Sequence, residues 1–135
     1  MKEIYKDKFV TYQYDKENKL FVETWQLETE HLSNTEFEDI LHILEKLYDK
    51  YPPKLMLCNY QCFLYTISPQ YQEWIKKHVA SKAIKNGLIR KANVVAAEYV
   101  TQLGVEQMME EALSEMVFDN RYFATYKEAV EWLLS

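Results

Sequence analysis

The sequence predicts a single α/β domain spanning residues 1–135, with the element order ββαβαβαβα and a short, mostly parallel sheet that has an antiparallel N-terminal edge strand. Three observations lead to this fold class. A segment of alternating polar and apolar residues lies near the N-terminus, two short continuous apolar runs come later, and helical apolar stripes separate them. The length matches one domain of ordinary size.

The first predicted element is a β-hairpin. Residues 9–14 alternate, so that one face carries Val10, Tyr12 and Tyr14. The other face carries Thr11 and Gln13, which we expect to be exposed. Residues 15–18 are typical of a turn, and residues 20–25 read as the second, antiparallel strand.

A helix follows, because apolar residues recur at helical spacing: Phe37, Ile40, Leu41, Leu44, Leu47 and Tyr48. Its start is compatible with two capping boxes, Ser33 with Glu36 and Thr35 with Glu38. Pro52-Pro53 ends it, because proline lacks an amide donor and restricts the residue before it.

Residues 55–58 form a nearly continuous apolar run, which is typical of a strand covered on both faces. A long connection, Tyr60 to Ile67, leads to Ser68-Pro69, an N-cap with proline at the first helical position. The buried stripe of this second helix is predicted to be Trp74, Ile75, Val79 and Ala83. Asn86-Gly87 ends the helix.

The C-terminal third repeats the strand and helix pattern. A covered strand is predicted from Ala92 to Ala97, then a helix with Leu103, Met108 and Ala112. A weak strand within Val117 to Phe123 precedes a last helix that Thr125 and Glu128 cap. We expect four strands in sequential order, with the N-terminal strand antiparallel at one edge. Three residues should be almost wholly buried: Leu57, Val94 and Val95.

The cysteines and the distribution of apolar residues predict the cellular compartment. The two cysteines, Cys58 and Cys62, are expected to be free thiols, which fits a reducing compartment. The first residues lack the apolar stretch of a signal peptide, and no apolar run approaches the length of a membrane span. The sequence therefore predicts a cytoplasmic protein without membrane insertion.

The usual catalytic signatures are missing from the sequence. His31, His42 and His78 are far apart and lack the spacing of metal ligands, so we expect no metal site. With only two glycines, neither a phosphate-binding loop nor a dinucleotide fingerprint can be written. No serine or cysteine lies in a local signature of nucleophilic catalysis. We therefore expect a protein that is not an enzyme and has no cofactor.

One segment is strongly basic although the whole chain has a net charge of −5. Residues 75–97 contain no aspartate or glutamate and six basic residues: Lys76, Lys77, Lys82, Lys85, Arg90 and Lys91. Such a patch could dock an acidic partner, or it could be an ordinary solvated helix face. The overall charge and the absence of interleaved aromatic residues argue against nucleic acid.

The long connection before the second helix carries aromatic residues, Tyr60, Phe63 and Tyr65, and we expect them to cluster against Trp74. Ligands of open α/β sheets favour this carboxyl end of the strands. The residues either form a filled satellite core or line a pocket of a few hundred cubic ångströms for a small apolar ligand.

Several segments together resemble the STAS-like (SpoIIAA-like) superfamily, and more narrowly a bacterial subgroup of uncharacterised small proteins. The segments are 54–57, the stretch Phe63-Leu64-Tyr65-Thr66-Ile67-Ser68-Pro69, residues 72–74 and residues 128–133. The resemblance covers nearly the whole chain. It implies a superhelix of strand–helix units.

The resemblance also implies a role for one serine. Antagonists of anti-sigma factors in this superfamily carry a serine that a partner kinase phosphorylates, and that position falls on Ser68. Its neighbours Ile67 and Pro69 differ from the family motif. A purely structural role as a helix cap is the alternative.

These observations favour a non-catalytic regulatory or protein-interaction module with an unknown protein partner. A homodimer is one form that such an interaction could take. The alternative function is a domain that binds a small apolar ligand or a lipid.

Overall fold

The computed structural model describes residues 1–96 and 118–135. They form a six-stranded sheet in sequential order. Its strands are β1 (Lys2–Lys6), β2 (Val10–Asp15), β3 (Leu20–Trp25), β4 (Leu55–Asn59), β5 (Arg90–Val94) and β6 (Asp119–Phe123). The first three strands pair antiparallel, and β3 to β6 pair parallel. The α/β class with a mixed sheet is thus confirmed.

Helices connect the parallel strands. A short 3-10 helix (Leu27–His31) precedes α1 (Asn34–Lys50), and both lie between β3 and β4. Between β4 and β5, α2 (Pro69–Trp74) runs directly into a π-helical segment (Ile75–Ala80) and then α3 (Ser81–Lys85). The chain ends with α4 (Tyr126–Leu133).

The N-terminal edge differs from the prediction. Strand β1 was not expected, since its sequence Lys-Glu-Ile-Tyr-Lys lacks a clear apolar alternation. It pairs antiparallel with β2, so the strand predicted at the edge lies inside the sheet. A charged outer strand is typical of a protected sheet edge. Thr11 and Gln13 now have neighbours on both sides and are half-buried, which makes the expectation of exposure wrong.

The predicted hairpin and first helix are confirmed. Strands β2 and β3 pair through the whole of residues 10–15 and 20–25. Helix α1 begins after Ser33, whose hydroxyl accepts from the Glu36 amide at 3.1 Å while the Glu36 carboxylate accepts from the Ser33 amide at 3.1 Å. The helix starts at Asn34, before the alternative box at Thr35 could form.

The second helical region also begins and ends as predicted, although a π-helical turn interrupts it. The Ser68 hydroxyl accepts from the Tyr71 amide, and Gly87 follows the helix with a φ of +105°. Val79 and Ala83 are buried, whereas Trp74 and Ile75 are half-buried.

In the C-terminal third, Leu57 and Val94 are wholly buried as predicted. Val95 is only half-buried, because it follows the last residue of β5, although its amide still donates to the Phe123 carbonyl at 3.0 Å. The weak strand exists as β6, and Thr125 caps α4 as predicted. Ala97 and the predicted helix with Leu103, Met108 and Ala112 lie outside the described residues.

The two faces of the sheet have separate cores. One face packs against α1 and the second helical region, with Phe21, Trp25 and Met56 among its central residues. The other face packs against α4, through Val22, Leu57, Val94 and the other members of a smaller cluster. Among the described residues no helix is long and apolar enough to cross a bilayer.

Candidate functional site

The candidate site lies at the carboxyl end of β3 and β4, under the loop of residues 60–67. A single buried side chain holds this loop. The Thr29 hydroxyl accepts from the Leu64 amide at 2.9 Å and points its proton at two carbonyl oxygens, that of Gln26 at 2.8 Å and that of Cys62 at 3.2 Å. Thr29 is fully buried, so the loop is fixed to the 3-10 helix.

Aromatic rings form the second support of the loop. The Phe63 ring centroid lies 4.9 Å from that of Trp25, 5.8 Å from Tyr60 and 6.2 Å from Tyr65. The Tyr65 ring continues the row to Phe37 at 4.7 Å. Edge-to-face and tilted pairs at these separations are favourable beyond the burial of their area. The structure therefore brings three of the four predicted aromatic residues together.

Trp74 is not part of this row. Its ring packs against His42 at 5.2 Å and His78 at 4.8 Å, on the outer side of α1 and the second helical region. The prediction that the loop aromatics cluster against Trp74 is therefore wrong. Trp25, on β3, takes the place that the sequence analysis gave to Trp74.

Beneath the aromatic row lies a chamber of about 80 Å³. Its lining carries polar atoms on Glu23, Trp25, Tyr48, Cys58, Tyr60 and Lys91, and its remaining walls are apolar. The chamber is neither the filled cluster expected of a satellite core nor a pocket of several hundred cubic ångströms. We call it the Glu23 chamber.

Glu23 is a carboxyl group in the middle of the sheet, only 5% exposed. The strand register places it in one row with Tyr12, Cys58 and Asn93. Burial raises its pKa above the ordinary value, against the opposing effect of the Lys91 ammonium and smaller effects of Trp25, Cys58 and Tyr12.

The neighbours of Glu23 are held in their neutral forms. Burial raises the pKa of the Cys58 thiol to about 12, and the Glu23 carboxylate adds to that effect. Burial also raises the pKa of Tyr12, Tyr48 and Tyr60 well above the ordinary value. Cys58 is therefore a buried thiol rather than an activated nucleophile.

Two donors beside Glu23 are left without a hydrogen bond of ordinary geometry in the described part of the chain. They are Tyr12 Oη and Trp25 Nε1, both buried. Each is close enough to favour the charged form of the Glu23 carboxyl group, but not at the distance and angle of a full bond. Buried donors rarely lack a partner, and Trp25 also lines the chamber, so this part of the sheet is the candidate site.

Sequence reasoning missed Glu23, although a signal was present. The predicted strand Leu20-Phe21-Val22-Glu23-Thr24-Trp25 is apolar on both faces except at Glu23 and Thr24. A carboxylate in such a strand must be paired, neutral or functional. Its partners could not be found from the sequence because they depend on the register of three other elements.

Ser68 lies at the end of the same loop. It is half-buried, and its hydroxyl caps α2 by accepting from the Tyr71 amide at 3.3 Å. The capping part of the prediction is confirmed, and the role as a modified serine stays a prediction.

The six basic residues of the predicted docking patch are spread over three places. Lys76, Lys77 and Lys85 are exposed on the second helical region, where Lys82 is paired with Asp49 at 2.6 Å. Arg90 lies on the opposite face of the sheet, where its guanidinium donates to the Trp132 carbonyl and stacks on the Trp132 ring. Lys91 lines the Glu23 chamber. Of the predicted docking patch, the three exposed lysines Lys76, Lys77 and Lys85 lie on the same helical region.

No group of three or more histidine, cysteine, aspartate or glutamate side chains within residues 1–96 and 118–135 is arranged to hold a metal ion. No family model, no curated protein and no solved structure matches the chain.

Proposed function

We propose that this protein is a non-catalytic regulatory module that binds another protein through the loop of residues 60–67 and the adjoining 3-10 helix. The observation that carries this proposal is the exposure of two large apolar side chains on the loop and the 3-10 helix, which hydrogen bonds and ring contacts hold in place. Leu64 is 52% exposed and Leu27 is 60% exposed. The Thr29 to Leu64 hydrogen bond holds their two segments side by side. We call Leu27 and Leu64 the apolar pair.

The support beneath the apolar pair favours a protein partner. The loop is tied by Thr29 and by the ring row from Trp25 through Phe63 to Tyr65, so little conformational entropy remains to be lost on binding. Exposed apolar side chains on such a fixed base are typical of the centre of an interface, whereas isolated ones elsewhere need no explanation.

The resemblance to STAS-like domains supports the same proposal. An antiparallel hairpin followed by parallel strands in sequential order is compatible with the superhelix of that superfamily. STAS-like membership and a cytoplasmic, regulatory role are part of this proposal.

Site-specific photo-cross-linking tests the proposed surface. A cross-linking amino acid at position 64, or at position 27, should capture the same partner protein in cells of the source organism. Position 134 is the matched control, because Leu134 is also an exposed leucine but lies at the C-terminus. The captured protein must then bind the purified chain. Capture of that partner only from position 134, or equally from all three positions, would contradict the proposal.

We further propose Ser68 as a regulatory modification position of this surface, as the resemblance implies. A phosphate on Ser68 would add negative charge four residues from Leu64, at the start of α2, where its oxygens can accept from backbone amides as the Ser68 hydroxyl does. The modified form should bind the partner more weakly. Intact mass of the protein from its source, in growing and starved cells, would detect the phosphate, and an unmodified mass throughout would exclude this role.

The alternative of an apolar ligand or lipid has less support. The Glu23 chamber, at about 80 Å³, is about half the size of a cavity that holds benzene. A lipid chain would require the aromatic row above it to move aside.

A further inference from the structure

The Glu23 chamber contains more hydrogen-bond donors than acceptors. Its lining provides the indole N–H of Trp25, the hydroxyls of Tyr48 and Tyr60, the thiol of Cys58 and the ammonium of Lys91. Glu23 is the acidic group among the lining residues. Trp25 Nε1 is buried, its residue is only 4% exposed, and within the described residues it lies beside the Glu23 carboxyl group without forming a hydrogen bond of ordinary geometry. The complementary ligand therefore presents acceptor oxygens.

The charges of the chamber restrict that ligand further. Glu23 is the acidic side chain and Lys91 the basic side chain that line it. The other titratable groups around Glu23 are Tyr12 from β2, Tyr48 from α1, Cys58 from β4 and Tyr60 from the loop, all held neutral by burial. An anion can enter without an unbalanced charge if Glu23 takes up one proton, because Lys91 then faces one negative charge as before.

The volume limits the size of the ligand. A cavity of about 150 Å³ accommodates the six carbon atoms of benzene. By proportion, the 80 Å³ of the Glu23 chamber accommodates about three or four non-hydrogen atoms. Its apolar walls include Leu41, Leu44 and Val79, so a methyl group can be buried there.

We propose that the Glu23 chamber binds a short-chain monocarboxylate of the size of formate or acetate. One carboxylate oxygen accepts from Trp25 Nε1, and the other shares a single proton with the Glu23 carboxyl group, within reach of Lys91. The proton comes from solvent, and no covalent bond is made or broken. This site is separate from the apolar pair and does not depend on the proposed protein partner.

Titration of the ¹⁵N-labelled protein with sodium acetate tests this proposal, with sodium chloride at equal ionic strength as the reference. The indole N–H signal of Trp25 should move downfield and saturate, because it gains an acceptor. The signals of Trp74 and Trp132 should not move. A ligand of four non-hydrogen atoms can gain at most about 6 kcal/mol, so its dissociation constant is no tighter than about 0.04 mM, and we expect a value of up to about 10 mM.

Two variants and a neutral probe identify the contacts. Trp25→Phe keeps a ring but loses the donor, so acetate affinity should fall by about tenfold, whereas Trp132→Phe should leave it unchanged.

Above the pKa of Glu23, affinity should fall about tenfold for each pH unit, because one proton is taken up on binding. Glu23→Gln should abolish that pH dependence over the same range. Acetamide, which has the same size and no charge, should bind more weakly and independently of pH.

Several outcomes would overturn the proposal. One is a Trp25 indole signal that stays in place up to 50 mM acetate, or roughly five times the weakest expected dissociation constant. Another is an identical response to chloride. A third is a binding constant that Trp25→Phe does not change. If Trp25→Phe fails to fold, the pH dependence and its loss in Glu23→Gln decide alone.

Discussion

Replacing Thr29 by valine should lower the free energy of unfolding by about 3 kcal/mol, although valine has nearly the same shape. Thr29 is fully buried, and its hydroxyl accepts from the Leu64 amide and donates toward the carbonyl oxygens of Gln26 and Cys62 in part-buried hydrogen bonds. Valine removes these bonds and leaves the Leu64 amide without its acceptor. A buried group that is left without its partner costs about 1–3 kcal/mol, more than the net contribution of about 0.5–1.5 kcal/mol of a typical hydrogen bond.

Urea unfolding of the native protein and the variant measures this effect. Thr24→Val is the matched control, because Thr24 lies on the neighbouring strand, is half-buried and makes no side-chain hydrogen bond in the described part of the chain. The Leu64 amide should also exchange its hydrogen faster in Thr29→Val than in the native protein. Equal stability of both valine variants would show that Thr29 does not hold the loop.

Replacing Glu23 by glutamine should stabilise the protein relative to the native chain as the pH rises, because burial disfavours the charged form of the Glu23 carboxyl group. The pKa of Glu23 is raised by burial, so the folded protein binds the proton more tightly than the unfolded chain. Stability is therefore highest below the unfolded pKa of about 4.3, falls as the pH rises to the folded pKa, and stays low above it.

Unfolding curves between pH 3 and pH 8 test the direction of this pH dependence of stability, since that interval brackets an unfolded pKa of about 4.3. The free energies of the native protein and Glu23→Gln should differ at neutral pH and converge toward the acid end. Glu73→Gln is the control, because Glu73 is exposed on α2. A Glu23→Gln variant that is less stable than the native protein at every pH would show that the carboxylate is fully paired when charged.

Much of the fold could be predicted because it depends on local patterns. The hairpin of β2 and β3 follows from alternation, and α1 follows from its apolar stripe and the reciprocal bonds of Ser33 and Glu36. Strand β1 could not be predicted in this way. It is stabilised by backbone pairing with β2 and by the packing of Ile4 and Tyr5, neither of which leaves a pattern in five mostly polar residues.

The site was predicted only where one segment determines it. Ser68 as a cap and the aromatic loop after β4 could both be read from adjacent residues. The Glu23 chamber combines residues from three strands, two helical regions and the loop, so it depends on the tertiary register. Trp74 was misplaced because helical spacing put it on the buried stripe, whereas its ring faces His42 and His78 at the helix surface.

The affinity of the purified partner for variants of the apolar pair tests the central claim most directly. Isothermal titration calorimetry should show that Leu27→Ser with Leu64→Ser weakens binding by at least tenfold, since each truncation at the centre of an interface costs about 1 kcal/mol or more. Ile89→Ser with Leu134→Ser, which changes two equally exposed residues elsewhere, should leave the affinity within about twofold of native. If Ile89→Ser with Leu134→Ser weakened binding and Leu27→Ser with Leu64→Ser did not, the interface would lie on another surface and the account would be contradicted.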